Sequence, residues 1–335
     1  MRVGLAGYAV GRAIHSPLIL EAGGELAAIA TANPDRIEQA RADHPDAAIV
    51  PDLDALLARD DLDAVVLTTP TGAHHAHCLQ LIGRGLPFVC DKPLSTTADL
   101  VGEIVAAAAA ASVPFSVFHN RRWDPSHRTA RQLLAQGRLS PVWRYEFRWE
   151  RWRPVPKHRW REDAPPQLGG GTLLDLGPHL IDSAIDLFGP IESVRAELEC
   201  RLSPSEDDVF LDCRHGGGVV SHLWASSISA APGPRIRILS GQGAYVFDDF
   251  DPDLRVHSEL DDAPGRCGWW YSSEERIAVP EAPGTPADYY REFFAAIRGE
   301  GEVPVPPESA LAVARVIDAA RISARDGGQV CVPAV

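Results

Sequence analysis

Apolar and polar positions follow two different rhythms along this chain. Over residues 1–118, short unbroken apolar runs (2–6, 26–31, 64–69, 87–90 and 115–118) alternate with stretches of helical spacing (34–42, 76–84 and the alanine-rich 97–111). Runs this short and this apolar predict strands buried on both faces, and helices between them predict a parallel sheet. The first run ends in glycines and a helix begins near Gly11, which is the order of the doubly wound dinucleotide-binding type.

After His119 the rhythm changes. Residues 143–150 alternate aromatic with charged residues, so Trp143, Tyr145, Phe147 and Trp149 share one strand face while Arg144 and Arg148 share the other. Further strands are expected at 194–201, 209–213, 218–225 and 235–240, with one strong helix at 180–188. The polar segment 251–276 reads as loop. Two helices close the chain, 286–298 and 307–325, the second with proline at its start and Gly327 just past its end. The expected fold is an α/β N-terminal Rossmann domain plus an α+β C-terminal domain with a mostly antiparallel open sheet. The expected domains are 1–118 for the dinucleotide, 119–306 for substrate and oligomerisation, and a helix and tail at 307–335 that pack back on the first domain.

Composition narrows the partners. The chain has 335 residues and a formal net charge of −14, which argues against a nucleic-acid or acidic-membrane partner. No apolar run reaches the roughly 18–20 residues of a membrane span, and the first residues lack a leader pattern. Six scattered cysteines (78, 90, 200, 213, 267, 331) fit reduced thiols and a cytoplasmic protein. An exposed sheet face in the second domain predicts a homodimer or homotetramer.

Candidate chemistry clusters at strand ends. Gly7, Tyr8, Ala9, Val10 and Gly11 form a glycine loop in which Ala9 replaces the middle glycine and the last glycine comes one residue early. The tip of the second run carries Thr31 and Asn33, with Arg36 following. With no acidic residue to grip a ribose diol, NADP is favoured over NAD. Thr69, Pro70, Thr71 and His74 fall where a nicotinamide would sit. His74, His75 and His77 have no cysteine or carboxylate to complete a metal set, so no metal is expected. Asp91, Lys92 and Pro93 follow another strand, where a lysine on a stiff turn can donate to a substrate oxygen. Asp175 and His179 stand four apart after Gly169, Gly170 and Gly171. On a helix they share a face, as an acid–base pair in which the carboxylate orients the imidazole requires, and the glycines would let another molecule approach the main chain. Asp182 either extends that pair or serves the helix. Asn120, Arg121, Trp123, Arg159 and Arg161 are candidate substrate contacts.

These motifs together resemble the glucose–fructose oxidoreductase / inositol dehydrogenase / rhizopine catabolism (Gfo/Idh/MocA) family. The residues that carry the resemblance are the glycine loop, Thr71 to His74 (with Thr71 in place of asparagine), Asp91-Lys92-Pro93, and the run from Gly170 through Asp175 to His179. The segments 118–124 and 151–162 look closest to the NADP-dependent scyllo-inositol dehydrogenase branch. The resemblance implies an NAD(P)-dependent dehydrogenase or reductase acting on a small polyhydroxy or keto compound such as a cyclitol or sugar. It also implies roles: His179 takes the hydroxyl proton, Asp175 orients His179, and Lys92 hydrogen-bonds the same oxygen. The alternatives are an NAD-assisted glycosidase of the same fold, a non-catalytic dinucleotide-sensing regulator, and a reductase of an imine or tetrapyrrole.

Overall fold

The computed structural model describes residues 1–156, 160–248 and 266–334. The chain divides into two compact units, Met1–Asn120 with Pro286–Leu311, and Arg121–Thr285 with Ala312–Val335.

The first unit is built on six parallel strands: β1 (Arg2–Ala6), β2 (Glu25–Ala30), β3 (Ala48–Val50), β4 (Ala64–Leu67), β5 (Phe88–Cys90) and β6 (Phe115–Val117). Their order is β3-β2-β1-β4-β5-β6, which places the crevice of a dinucleotide fold at the β1/β4 boundary. Val3, Leu5, Ile29, Val65 and Val66 are all but inaccessible, as expected of strands covered on both faces. The sequence pattern passes over β3 because its three residues are only half-buried. Asn33, Asp52 and Thr97 cap three helices, Pro34–Asp43, Leu53–Leu57 and Ala98–Ala111, each accepting from the N–H three residues on.

Residues 286–306, placed in the second domain by the sequence reading, pack in the first unit. The reason is the apolar face of helix Asp288–Ile297, where Tyr289, Tyr290 and Phe293 are fully buried. Tyr289 meets Phe118 edge-on at 4.8 Å, and the Tyr290 hydroxyl lies 2.5 Å from His15 Nδ1. Burial pushes the His15 imidazole down to about 4, partly offset by Asp91, so this ring is neutral at neutral pH.

The second unit carries nine strands: β7 (Val142–Glu150), β8 (Ile191–Glu199), β9 (Asp208–His215), β10 (Val220–Ser226), β11 (Ile236–Ser240), β12 (Gly243–Phe247), β13 (Arg266–Tyr271), β14 (Arg276–Pro280) and β15 (Val330–Cys331). Their order is β14-β13-β12-β11-β7-β10-β9-β8-β15. All neighbours are antiparallel except β7 and β10. One face holds the core: Tyr145, Phe147 and Trp149 of β7 pack with Leu180 and Ile181 of helix Gly177–Phe188 and with Val316 and Ile317 of helix Pro307–Asp326. Trp143 departs from its three companions and is 60% exposed.

Three expectations need correction. Part of the segment read as loop, residues 266–271, is strand β13; residues 251–265 lie outside the described residues. A second long helix, Pro125–Ala135, precedes β7. From Ala312 onward the C-terminal helix and tail group with the second unit, where β15 adds to the edge of β8. Among the described residues no helix is long and apolar enough to cross a membrane.

Candidate functional site

In the first unit the glycine loop leaves β1 through Gly7 at φ +98°, a left-handed conformation. A Cβ there would meet the Thr68 hydroxyl at 2.7 Å and the Thr68 carbonyl oxygen at 2.8 Å. The chain then enters a wide π-type turn at Gly11–His15 that tightens into the α-helix Ser16–Glu21. Gly11 serves close packing, since a Cβ would meet the Leu5 side chain at 3.0 Å. No side-chain hydrogen bond caps this helix start. Ala9 is exposed on the loop, and Val10 is half-buried. Tyr8 is taken up by the protein itself: its hydroxyl donates to Asp43 at 2.9 Å. Burial and that hydrogen bond push the Tyr8 phenol up to about 12.

At the tip of β2, Thr31 is buried and its N–H donates to the Val50 carbonyl. Asn33 spends its side-chain oxygen on the Arg36 N–H at 3.1 Å. Arg36 is exposed and lines a cavity of about 490 Å³ together with Tyr8, Ala9 and Arg12. Arg12, which the sequence reading overlooked, pairs with Asp43 at 2.5 Å. Its signal was its place next to Gly11.

The two remaining turns of the first unit are tied together. His74 is buried, with Nδ1 2.9 Å from the Pro93 carbonyl and Nε2 2.7 Å from the Thr69 carbonyl. It therefore lies between the Thr69-Pro70-Thr71 turn and the Asp91-Lys92-Pro93 turn, within hydrogen-bond distance of a carbonyl of each. The Thr69 hydroxyl lies 3.0 Å from His77 Nδ1, which accounts for a second histidine of the cluster. Thr71 is buried at the start of helix Thr71–Gly83, and Pro70 is exposed at its cap. The Asp91 carboxylate accepts the Lys92 N–H at 2.8 Å, fixing the backbone from which the half-buried Lys92 side chain extends.

In the second unit Asp175 and His179 do not share one continuous helix. Asp175 ends a single turn, Thr172–Asp175, and His179 lies in the first turn of Gly177–Phe188, with a bend at Leu176 (φ −110°, ψ −31°). Pro178 sits in that first turn, and the His179 N–H reaches the Leu176 carbonyl, three residues back, at 3.1 Å. The glycines ahead of them serve the chain itself. A Cβ on Gly170 would strike the Ala164 carbonyl oxygen at 1.7 Å, and one on Gly171 (φ +94°) the Glu206 carboxylate at 2.1 Å. That approach lets Glu206 accept the Leu173 N–H and its carbonyl accept the Thr172 N–H. Burial raises the Glu206 carboxyl above its ordinary value. His179 is buried and stacks on Trp149, ring centroids 5.6 Å apart and planes 26° apart. Asp175 lines a cavity of about 160 Å³ with Arg151, Arg153, Glu206 and Asp207.

Arg121 and Trp123 share the turn Asn120–Trp123. Arg121 pairs with Asp124 at 3.1 Å and lies 4.7 Å over the Trp149 ring, while Trp123 is buried and Asn120 half-buried. Arg159 and the side chain of Arg161 lie outside the described residues. Asp182 is buried and accepts both forks of Arg122, at 2.9 and 2.6 Å, so it serves the scaffold under His179.

The glycine loop yields a direct check of its role. Gly7→Ala is expected to destabilise the protein by about 2–4 kcal/mol, combining left-handed backbone strain with overpacking against Thr68. Cofactor affinity should fall at least tenfold with it, readable by thermal unfolding and nucleotide titration; an unchanged affinity would mean the loop does not hold the dinucleotide.

Comparison with known proteins agrees with this geometry. Residues 1–119 match the oxidoreductase family described as having an NAD-binding Rossmann fold, and residues 127–246 match the GFO/IDH/MocA C-terminal domain. The chain is 30% identical to the scyllo-inositol 2-dehydrogenase (NADP(+)) IolW of Bacillus subtilis, over 97% of this chain and 94% of that protein. It is 32% identical to the uncharacterized oxidoreductase YdgJ of Escherichia coli, over 99% of each. A solved structure from Yersinia pestis, assigned as an oxidoreductase, superposes with a TM-score of 0.87 at 30% identity, covering 100% of this chain and 98% of that one. The crevice order of the first sheet, the left-handed Gly7 and these likenesses converge: the chain belongs to the GFO/IDH/MocA family and is an NAD(P)-dependent dehydrogenase.

Proposed function

We propose that the protein interconverts a secondary alcohol and a ketone on a small polyhydroxylated compound of the cyclitol or sugar class, with NADP(H) preferred. Supporting the acid–base reading are a buried imidazole stacked on Trp149 and a carboxylate four residues before it in sequence, across the bend at Leu176. In the oxidative direction His179 takes the hydroxyl proton and Asp175 orients and stabilises the imidazole, and the family resemblance gives Lys92 the role of a donor to a substrate oxygen on which negative charge develops. In reduction His179 and Lys92 donate. The bound nicotinamide supplies the hydride acceptor or donor. The scyllo-inositol dehydrogenase relative supports the substrate class.

Gly7, Gly11 and the uncapped helix start hold the pyrophosphate in this reading, with the turns at Thr69-Pro70-Thr71 and Asp91-Lys92 beside the nicotinamide. NADP preference rests on Arg36, which lines one cavity with Arg12 and its partner Asp43, and on the lack of an acidic residue at 31–33 to compete for the ribose. The test is a titration of the protein with NADP(H) and NAD(H), followed by a panel of inositols and ketoses read at the reduced-nicotinamide absorbance. Arg36→Ala should shrink the NADP-over-NAD affinity ratio about tenfold, the worth of one charge-assisted contact. NAD(H) binding as tightly as NADP(H) to the unaltered protein would remove the preference.

A further inference from the structure

Beside the glycine loop a carboxylate holds the arginine that follows it. Arg12 comes directly after Gly11 in the π-type turn, and its guanidinium meets Asp43 at two points, Nε to Oδ2 at 2.5 Å and Nη2 to Oδ1 at 3.3 Å. The Tyr8 hydroxyl donates to the same Oδ2 at 2.9 Å. Asp43 is the last residue of helix Pro34–Asp43, an end at which the helix dipole disfavours negative charge. Arg12 and Tyr8 offset that effect and hold the Asp43 carboxyl below its ordinary value, so it is ionised at neutral pH.

Tyr8, Arg12 and Asp43 all line the cavity of about 490 Å³ that also takes in Arg36 and His44. Its formal charges at neutral pH are Arg12 and Arg36 against Asp43. His44 adds none: burial keeps its imidazole below the ordinary value, and its Nε2 lies 2.9 Å from the Ser16 hydroxyl. The Arg36 side chain has no ion pair among the described residues, whereas Arg12 is engaged by both prongs of its fork. A phosphate monoester entering this cavity therefore meets one open guanidinium, one occupied guanidinium and one carboxylate. A guanidinium fork fits phosphate as it fits carboxylate, so phosphate and Asp43 compete for Arg12. The two anions also repel each other.

We propose that Asp43 is a specificity-determining residue for the cofactor: it competes for Arg12, holds down affinity for a 2′-phosphate and leaves Arg36 as the main phosphate partner. NAD(H) carries no phosphate on that ribose, so its binding is indifferent to the competition. This inference rests on the reading of the cavity as the 2′-phosphate site.

The test is calorimetric titration of the whole protein at low ionic strength, with no turnover. The probes are adenosine 2′,5′-bisphosphate and adenosine 5′-monophosphate, which differ only in the 2′-phosphate. Asp43→Asn keeps an acceptor for Tyr8, and the Asp43 side chain is 32% exposed, so the fold is not at stake. It should tighten the bisphosphate about tenfold, the worth of one charge-assisted contact, and leave the monophosphate unchanged. Adding Arg12→Gln should cancel the gain, as coupled neighbours require. A gain that survives Arg12→Gln overturns the competition for Arg12. Equal weakening of both nucleotides by Asp43→Asn means that Asp43 only braces the loop, and also overturns it. No gain, in a protein that still prefers the bisphosphate, overturns this inference alone and leaves the NADP reading standing. Neither a preference nor a gain overturns both.

Discussion

His179→Ala lowers turnover by about 10²–10⁴-fold, the usual worth of a positioned general acid–base group, and leaves cofactor affinity nearly unchanged. Lys92→Ala, at the proposed donor to the substrate oxygen, is expected to lower turnover by about 10²–10³-fold, as loss of one oxyanion donor does. The split matters because a mere scaffold role would weaken everything at once. His179 is seated on Trp149 and buried, so its removal also costs packing; His179→Gln keeps much of the volume and should be as inactive as the alanine variant. Steady-state rates beside nucleotide titration separate the cases. Turnover near that of the unaltered protein in both Lys92→Ala and His179→Gln would sink the mechanism. Asp175→Asn is expected to lose turnover as well, since an amide cannot stabilise the imidazolium that forms.

Much of this arrangement was legible in the residue pattern, and what was not has physical reasons. Runs such as β1 and β4 announce themselves because both faces are dry, whereas β3, β12, β14 and β15 are short or half-exposed and carry no distinct period. Helix Pro125–Ala135 escapes notice because its inner face is polar: Ser126, His127 and Thr129 are buried there. His127 meets Asp186 at 2.7 Å, and the Thr129 hydroxyl accepts the Ala282 N–H at 3.0 Å. Polarity at those positions mimics a solvent face. The Asp175–His179 spacing was readable, but its geometry was not, because Pro178 and the bend at Leu176 break the helix that the spacing implies. The three glycines were assigned to an approaching ligand, and the neighbours that need the room, Ala164 and Glu206, are separated from them in sequence.

Removing either member of the Arg122–Asp182 pair should destabilise the protein by about 3–5 kcal/mol, because a buried charge loses its forked partner. Arg122 is 9% and Asp182 2% exposed at the side chain, and the contact is a two-pronged fork. Arg122 also reaches Asp186 at 3.1 Å, where His127 and Arg131 converge. Burial alone would raise the Asp186 carboxyl; the His127 hydrogen bond and the charges of Arg122, His127 and Arg131 hold it well below its ordinary 3.8. A depressed carboxylate contributes stability that is fully present above that ordinary value and is lost as pH falls through the lower folded value. The network therefore adds an acid-sensitive share of stability, and Asp186→Asn should flatten the acid limb of a stability-versus-pH curve. Replacing both charges together, Arg122→Met with Asp182→Leu, should cost less than either single change, since neither half of the fork is then left without the other. Because Asp182 lies one turn beyond His179 on the same helix, the double variant separates two roles. Recovered melting temperature with turnover still depressed would mean that the pair positions the imidazole, and recovery of both would mean that it only holds the turn to the helix. Single variants as stable as the unaltered protein would contradict the burial on which the whole expectation stands.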